Sequence, residues 1–222
     1  MGTYVGHTGP VWALVLHGDI IYSGSSDLAI KAWDINKQTC VRTLVGHEGI
    51  VHALIIIGRK LYSGSSDCTI RVWNLNTSEL IQTVPAGDNT VCTLDARVGT
   101  NGSQSLLFSG SLKTVTVWEA DTMTVVAQLK GLNHWVRALV VSEDHLYCGS
   151  YNIIMVWSLA TFDCVRTITC QGGSVYSLTV DTLGQHLISG VYENRIDVRA
   201  GLCYFLSMLT CVTSCGTSRR ST

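Results

Sequence analysis

Two prolines are all that 222 residues contain. That scarcity excludes Pro-rich linkers and polyproline segments. Lysine and arginine (15) almost balance aspartate and glutamate (16), leaving a formal net charge of −1. The basic footprint of a nucleic-acid-binding domain is therefore missing. No apolar run approaches the roughly 20 residues of a membrane-spanning helix. The longest candidate, Leu202 to Val212, falls well short of it. Nine cysteines make an odd number, and no two stand as C-x-x-C. Such a set fits neither a disulfide framework nor a zinc site of paired ligands. Small buried thiols in a reducing compartment are expected instead. The seven histidines are dispersed and never paired at ligand spacing. "GTNGSQSLLFSG" is Gly/Ser-rich but lacks the lysine and the following helix of a phosphate-binding loop. No G-x-S-x-G elbow stands in a strand-to-helix setting. The opening "MGTYVGHTGPVWAL" has no charged start, so no secretory leader is expected there. The expected location is the cytoplasm, with the nucleus as a second compartment.

Glycine is plentiful at 21 residues, and β-branched residues abound. Short strands and tight turns follow from that balance. Aligning the chain on Val11, Val51, Val91, Val136 and Val175 exposes a repeat. The first runs read "VWALVL", "VHALII", "VCTLDA", "VRALVV" and "VYSLTV", at steps of 40, 40, 45 and 39 residues. The longer step holds the "GTNGSQS" stretch, which reads as a lengthened hairpin. A second run follows in each unit: "IIYSGSSD", "KLYSGSSD", "LLFSGSLK", "HLYCGSYN", "HLISGVYE". A third ends at Trp33, Trp73, Trp118 and Trp157, and a fourth closes the unit. Many of these strands are apolar on both faces, as strands packed between two other sheets must be.

Units of four strands and about 40 residues predict β-propeller blades. The fold class expected is all-β: an incomplete propeller of about five four-stranded blades. The units span about 6–45, 46–85, 86–130 and 131–169, with a partial fifth at 170–198. Residues 199–222 stand apart as a non-repeat, irregular tail. The repeats resemble the WD family in three marks: Gly6-His7 and Gly46-His47, Asp27 and Asp67 in the second turn, and Trp33-Asp34 and Trp73-Asn74 at the close. That resemblance implies two buried hydrogen-bonded tetrads, His7–Ser23–Asp27–Trp33 and His47–Ser63–Asp67–Trp73. Their recurrence at one register points to structure rather than to a catalytic His–Asp dyad. Gly87, Leu132 and Gln171 replace the histidine later on, so the later blades are expected to rest on apolar packing.

One column varies while its neighbours do not. The residue after each anchor valine is Trp12, His52, Cys92, Arg137 or Tyr176. It lies at the start of the innermost strand, near one rim of the central channel. Trp, Tyr and Arg dominate binding energy at protein interfaces. Trp12, His52, Arg137 and Tyr176 are the candidate partner-binding rim. No catalytic, metal-binding or cofactor-binding residue emerges.

The segments "GHEGIVHALIIIGRKLYSGSSDCTIRVW", "GLNHWVRALV", "YCGSYN" and "GGSVYSLTV" carry a closer resemblance. They are similar to the WD repeats of the TNF-receptor-associated-factor type of ubiquitin ligase, over about residues 4–198. The resemblance implies a longer parent with an N-terminal RING finger, further zinc-binding and coiled-coil segments, and seven WD repeats. Zinc would belong to those other segments and not to this chain. It further implies a scaffold for protein ubiquitination in MAP kinase stress signalling, with a MAP kinase kinase kinase among its partners. An F-box-type WD40 substrate receptor and a generic WD40 scaffold are the alternatives. The single arginine in the rim column disfavours the former, which reads phosphodegrons through a ring of arginines.

Two expectations concern the ends. "TYV" looks like the outer strand of a preceding blade, so an open stack would leave apolar faces bare and prone to self-association. The repeat pattern breaks at Arg199, where a tryptophan is due. The abrupt change there suggests that 199–222 is not evolved propeller sequence, and that the chain is an isoform or fragment of the parent.

Overall fold

The computed structural model describes residues 2–100, 103–181, 186–193 and 195–200. All described elements are strands, arranged as four complete blades and a partial fifth. Blade 1 holds β1 (Val11–His17), β2 (Ile20–Ser25), β3 (Ile30–Asp34) and β4 (Thr39–Leu44). Blade 2 holds β5 (Val51–Ile57), β6 (Lys60–Ser65), β7 (Thr69–Asn74) and β8 (Leu80–Pro85). Blade 3 holds β9 (Thr93–Arg97), β10 (Leu106–Gly110), β11 (Leu112–Glu119) and β12 (Thr124–Trp135). A six-stranded sheet holds the rest: β13 (Ala138–Val141), β14 (His145–Gly149), β15 (Tyr151–Ser158), β16 (Cys164–Val180), β17 (His186–Val191) and β18 (Arg195–Ala200).

Within each blade, strands adjacent in sequence pair antiparallel, so each blade is a simple meander. The innermost strands β1, β5, β9, β13 and the second half of β16 stand side by side around the channel. The outer strands β4 and β8 are mostly exposed. β16 serves two blades. Its first half closes blade 4 on β15, and its second half opens blade 5 on β17.

The core lies between blades rather than within them. Val51, Leu54 and Leu61 of blade 2 pack with Tyr22, Ile30 and Ala32 of blade 1. Equivalent clusters join blades 2 and 3, 3 and 4, and 4 and 5. One contact repeats at every junction. With the strands of a blade lettered a to d from the channel outward, strand b carries a glycine whose absent Cβ makes room for the anchor valine of the next blade. A Cβ on Gly24, Gly64, Gly110 or Gly149 would lie 2.6, 2.5, 2.9 or 2.7 Å from Cγ1 of Val51, Val91, Val136 or Val175. Among the described residues, Val11 has no such glycine and Gly190 no such valine.

Residues 2–8 form no strand. Tyr4 stands where Leu44 stands one unit later, but an outer strand needs a neighbour to pair with. Its ring instead packs edge-on against Trp33, 5.8 Å between centroids. At the other end, β18 does not stop before Arg199. Leu187 pairs with Arg199 at the register where Leu61 pairs with Trp73. The ladder uses backbone groups only, so losing the tryptophan does not end the strand. The strand end and the sequence boundary at 198 therefore do not coincide. The rest of the tail, 201–222, lies outside the described residues.

Candidate functional site

The rim column owes its freedom to a β-bulge. Val11 and Ala13 pair with Ser25 and Gly24, leaving Trp12 as the extra residue. His52 and Tyr176 are the extra residues of the same bulge in blades 2 and 5. In blades 3 and 4 the column residue bonds to the strand-b glycine through its own N–H. Cys92 donates to Gly110 O at 2.8 Å and Arg137 to Gly149 O at 3.3 Å, while Thr93 and Ala138 pair with those same glycines. Cys92 and Arg137 thus stand just ahead of β9 and β13, outside the ladder, at the position that the bulge frees in the other three blades. A bulge turns its side chain out of the ladder direction, which lets the column vary without disturbing the blade.

The structure brings these side chains into partial contact. Trp12 is 58% exposed, and its ring centroid lies 5.7 Å from that of His52. Arg137 is exposed, with its guanidinium carbon 5.2 Å above the Tyr176 ring. Tyr176, 49% exposed, reaches Tyr192 at 6.1 Å. Burial pushes the His52 imidazole down, and the Arg137 charge adds to that. Burial pushes the Cys92 thiol up, partly offset by Arg137. Both therefore stay neutral near pH 7, and Arg137 carries the charge of the column.

Three aromatic neighbours were not legible in the column. His134 and Tyr151 lie 5.8 Å apart, and Tyr192 flanks Tyr176. Gly173 fits between Tyr151 and Tyr192. Its φ of +86° suits glycine, and an added Cβ would sit 3.4 Å from Tyr192 Cβ. They come from the d–a and b–c turns, whose spacing varies between units, so alignment on the valines does not collect them.

The tetrads lie beneath this surface. In blade 2, His47 Nδ1 is 2.7 Å from Asp67 Oδ2, and Nε2 is 2.7 Å from Ser63 Oγ. Trp73 Nε1 donates to Ser63 Oγ at 2.9 Å. Blade 1 repeats this with His7, Asp27, Ser23 and Trp33, each contact at 2.7 Å. Burial alone would raise the Asp67 carboxyl. Hydrogen bonds from the Thr69 hydroxyl, His47 and the Glu48 N–H outweigh it and hold the carboxyl at about 2. Asp27 is likewise lowered, its burial outweighed by His7 and the Thr8 and Ala29 amides. A carboxylate accepts only, so Nδ1 carries the imidazole proton, and Nε2 accepts from the serine. Every member of both networks is then paired.

The later blades keep fragments of this network. In blade 3, Trp118 Nε1 still donates to Ser109 Oγ at 2.8 Å, so apolar packing is not its only support. In blade 4, Cys148 occupies the serine position, and Trp157 Nε1 has no partner. In blade 5, Ser189 remains, Arg199 replaces the tryptophan, and Ser189 Oγ has no partner. The Arg199 guanidinium instead donates to Thr169 O at 3.1 Å. Two asparagines that the repeat marks did not single out tie the turns together. Asn133 donates to Tyr151 O and accepts from Ser150, and Asn152 accepts from the Gly173 N–H.

Among the described residues, no cluster of three or more His, Cys, Asp or Glu side chains could hold a metal ion. No described helix is long and apolar enough to cross a membrane.

Known proteins share these features. The family described as "WD domain, G-beta repeat" matches residues 1–34 and 38–74. The mouse E3 ubiquitin-protein ligase TRAF7 is 48% identical over 204 residues, covering 88% of this chain and 32% of the ligase. The human TRAF7 ligase is also 48% identical over 204 residues, with 29% of its length covered. The chain thus spans about a third of the length of these relatives. Among solved structures, U3-55K aligns with a TM-score of 0.80 at 21% identity, covering 88% of this chain and 62% of that one. The WD40 β-propeller domain of Doa1 aligns at 0.76 and 21%, covering 87% and 64%. Those two show the fold alone. Repeat marks, tetrad geometry and blade architecture give this chain a β-propeller fold with WD repeats in its first third, and its sequence is similar over most of its length to part of the TRAF7 ubiquitin ligases.

Proposed function

We propose that this chain is a protein–protein interaction scaffold, the partner- and substrate-binding part of a RING-type ubiquitin ligase. Its rim of Trp12, His52, Arg137 and Tyr176 would hold the partner. The observation that carries this is the bulge. In blades 1, 2 and 5 it takes one side chain out of ladder pairing, and in blades 3 and 4 the column residue precedes the first ladder pair, so the same rim position is free in all five and three of its residues are Trp, Arg and Tyr. Those residue types concentrate binding energy at interfaces. The similarity to TRAF7 ligases supports the ubiquitin connection. From the resemblance of the repeat segments to that ligase type, the scaffold would act in MAP kinase stress signalling with a MAP kinase kinase kinase as partner, in the cytoplasm and, secondarily, the nucleus.

The test is binding of the purified chain to an immobilised MAP kinase kinase kinase. Trp12→Ala and Tyr176→Ala should each weaken retention about tenfold or more, the loss of one hot-spot side chain. Their melting temperatures should stay at the wild-type value. Variants that bind like wild type, or that unfold before binding is lost, would overturn the rim as the site.

A further inference from the structure

Arg137 is the one charged side chain of the bulge column, and its setting restricts what it can recognise. Its guanidinium lies over Tyr176, which Tyr192 flanks in turn. The ring covers one side of the guanidinium, and because the side chain is exposed an N–H edge stays open to solvent. Among the described residues, that edge makes no ion pair and no side-chain hydrogen bond. The neighbouring rim positions His52 and Cys92 are neutral, so no second cation of the column assists it. On either side stand exposed rings, Trp12 toward blade 2 and Tyr192 and Tyr151 toward the far edge. Rigid aromatic side chains supply contact area at little entropic cost.

We infer that the rim takes an extended acidic segment of a protein partner, with one carboxylate forked onto Arg137 and its apolar neighbours laid on Trp12, Tyr176 and Tyr192. This rests on the rim being the partner site and adds the chemistry of the partner. A fork of two parallel N–H···O bonds matches a planar carboxylate. A dianionic phosphate needs more positive charge than one guanidinium, and the column offers none. A basic segment would meet Arg137 with like charge, and the column itself holds no carboxylate to receive it, Glu193 standing beyond Tyr192 beside Gly172.

The experiment uses the full chain and three short fluorescein-labelled peptides, followed by anisotropy. The first alternates glutamate with leucine and tyrosine. The second carries glutamine for glutamate, and the third phosphoserine for glutamate. The glutamate peptide should bind, and more weakly as salt rises. Its affinity should fall about tenfold or more in the glutamine version and in Arg137→Gln. Arg137→Lys should recover only a small part, because an ammonium cannot fork. The melting temperature of Arg137→Gln should equal wild type, since the side chain is exposed. Equal binding of the glutamate and glutamine peptides, or no binding of either, would overturn the inference. So would a phosphoserine peptide about tenfold tighter than the glutamate one, which assigns the rim to phosphate. Suppose a kinase partner is lost by Trp12→Ala and Tyr176→Ala but kept by Arg137→Gln. Then the rim stands and the acidic segment falls. If all three variants keep it, both fall.

Discussion

Val51 fills the space that Gly24 leaves open in the neighbouring blade, and a Cβ on Gly24 would lie 2.6 Å from Val51 Cγ1. The same glycine receives the bulge of its own blade through Ala13. One small residue therefore serves the stacking of blades and the exposure of the rim. The valine is fully buried at Val51 and Val175 but 47% exposed at Val11, against which no described residue packs a glycine of this kind.

This knob and hole can be tested by filling the hole. In Gly64→Ala the new Cβ would sit 2.5 Å from Val91 Cγ1, against a β-branched side chain with little rotamer freedom. Overpacking of this kind costs about 1–3 kcal/mol. In Gly190→Ala the nearest atom is the Ser177 hydroxyl, which can rotate away. That variant should be neutral, or stabilised by about 0.5 kcal/mol from the lost glycine entropy. Urea denaturation of both variants decides the matter. Equal effects at the two positions would show that the valine contact does not hold the blades together.

Blade 4 carries a repairable defect. Cys148 stands where blades 1, 2 and 3 have serine, and Trp157 Nε1 is left buried without an acceptor. Cys148→Ser places an oxygen at the position from which Ser109 accepts the Trp118 indole at 2.8 Å. A gained buried hydrogen bond is worth about 1 kcal/mol. A higher thermal midpoint is expected. An unchanged or lower one would mean that the sulfur packs better than the hydroxyl bonds.

Much of this was legible in the residues because blades repeat in register. Val, Ser-Gly, Asp and Trp recur where identical backbone surroundings demand them. The bulge was not legible as such. It is a property of backbone pairing that tolerates any side chain, so Trp12, His52 and Arg137 showed only as a variable column. The Asn133 and Asn152 ties escaped because they replace the His and Asp of the tetrad at different positions and with different partners. Arg199 broke a side-chain pattern without breaking the strand, since the Leu187 pairing needs only the backbone. Tyr4 has the residue type of an outer strand but no neighbour to pair with, and local pattern cannot report a missing partner.

The two end faces should make the chain associate with itself. Leu14 is 67% exposed, whereas Leu54 at the same register is buried. At the other end Ile196 and Val198 are 76% and 61% exposed, whereas Ile154 and Val156 at the same registers are fully buried. Faces with interior composition and no cover drive association. Size-exclusion chromatography over a range of concentrations should give an apparent mass that rises with concentration. Leu14→Glu should suppress the rise. A concentration-independent monomer would show that the faces are too small or too uneven to dock.

Acid should weaken the fold through the blade 2 tetrad. Burial is the larger influence on His47, and with Arg71 it outweighs Asp67, so the fold holds the imidazole below its usual 6.5. A lowered histidine favours the folded state fully above 6.5, and that stability is lost as pH falls below it. Asp67, held at about 2 against an ordinary 3.8, adds stability that is present above 3.8 and lost as pH falls toward 2. Both act in the same direction, in two successive windows. A proton on Nε2 would also make the Ser63 O–H turn from the imidazole to the longer bond with Arg71 O, 3.4 Å away. His52 and His145 are lowered by burial too and add to the slope between pH 7 and 5. The test is therefore a difference between proteins. His47→Ala should cost about 1–3 kcal/mol at pH 7.5, the penalty for stranding the Asp67 and Ser63 partners. Its melting temperature should then fall less steeply than that of wild type between pH 7 and 5. Parallel slopes in the two proteins would show that His47 does not titrate with unfolding. The acid sensitivity would then belong to the rim and hairpin histidines rather than to the tetrad.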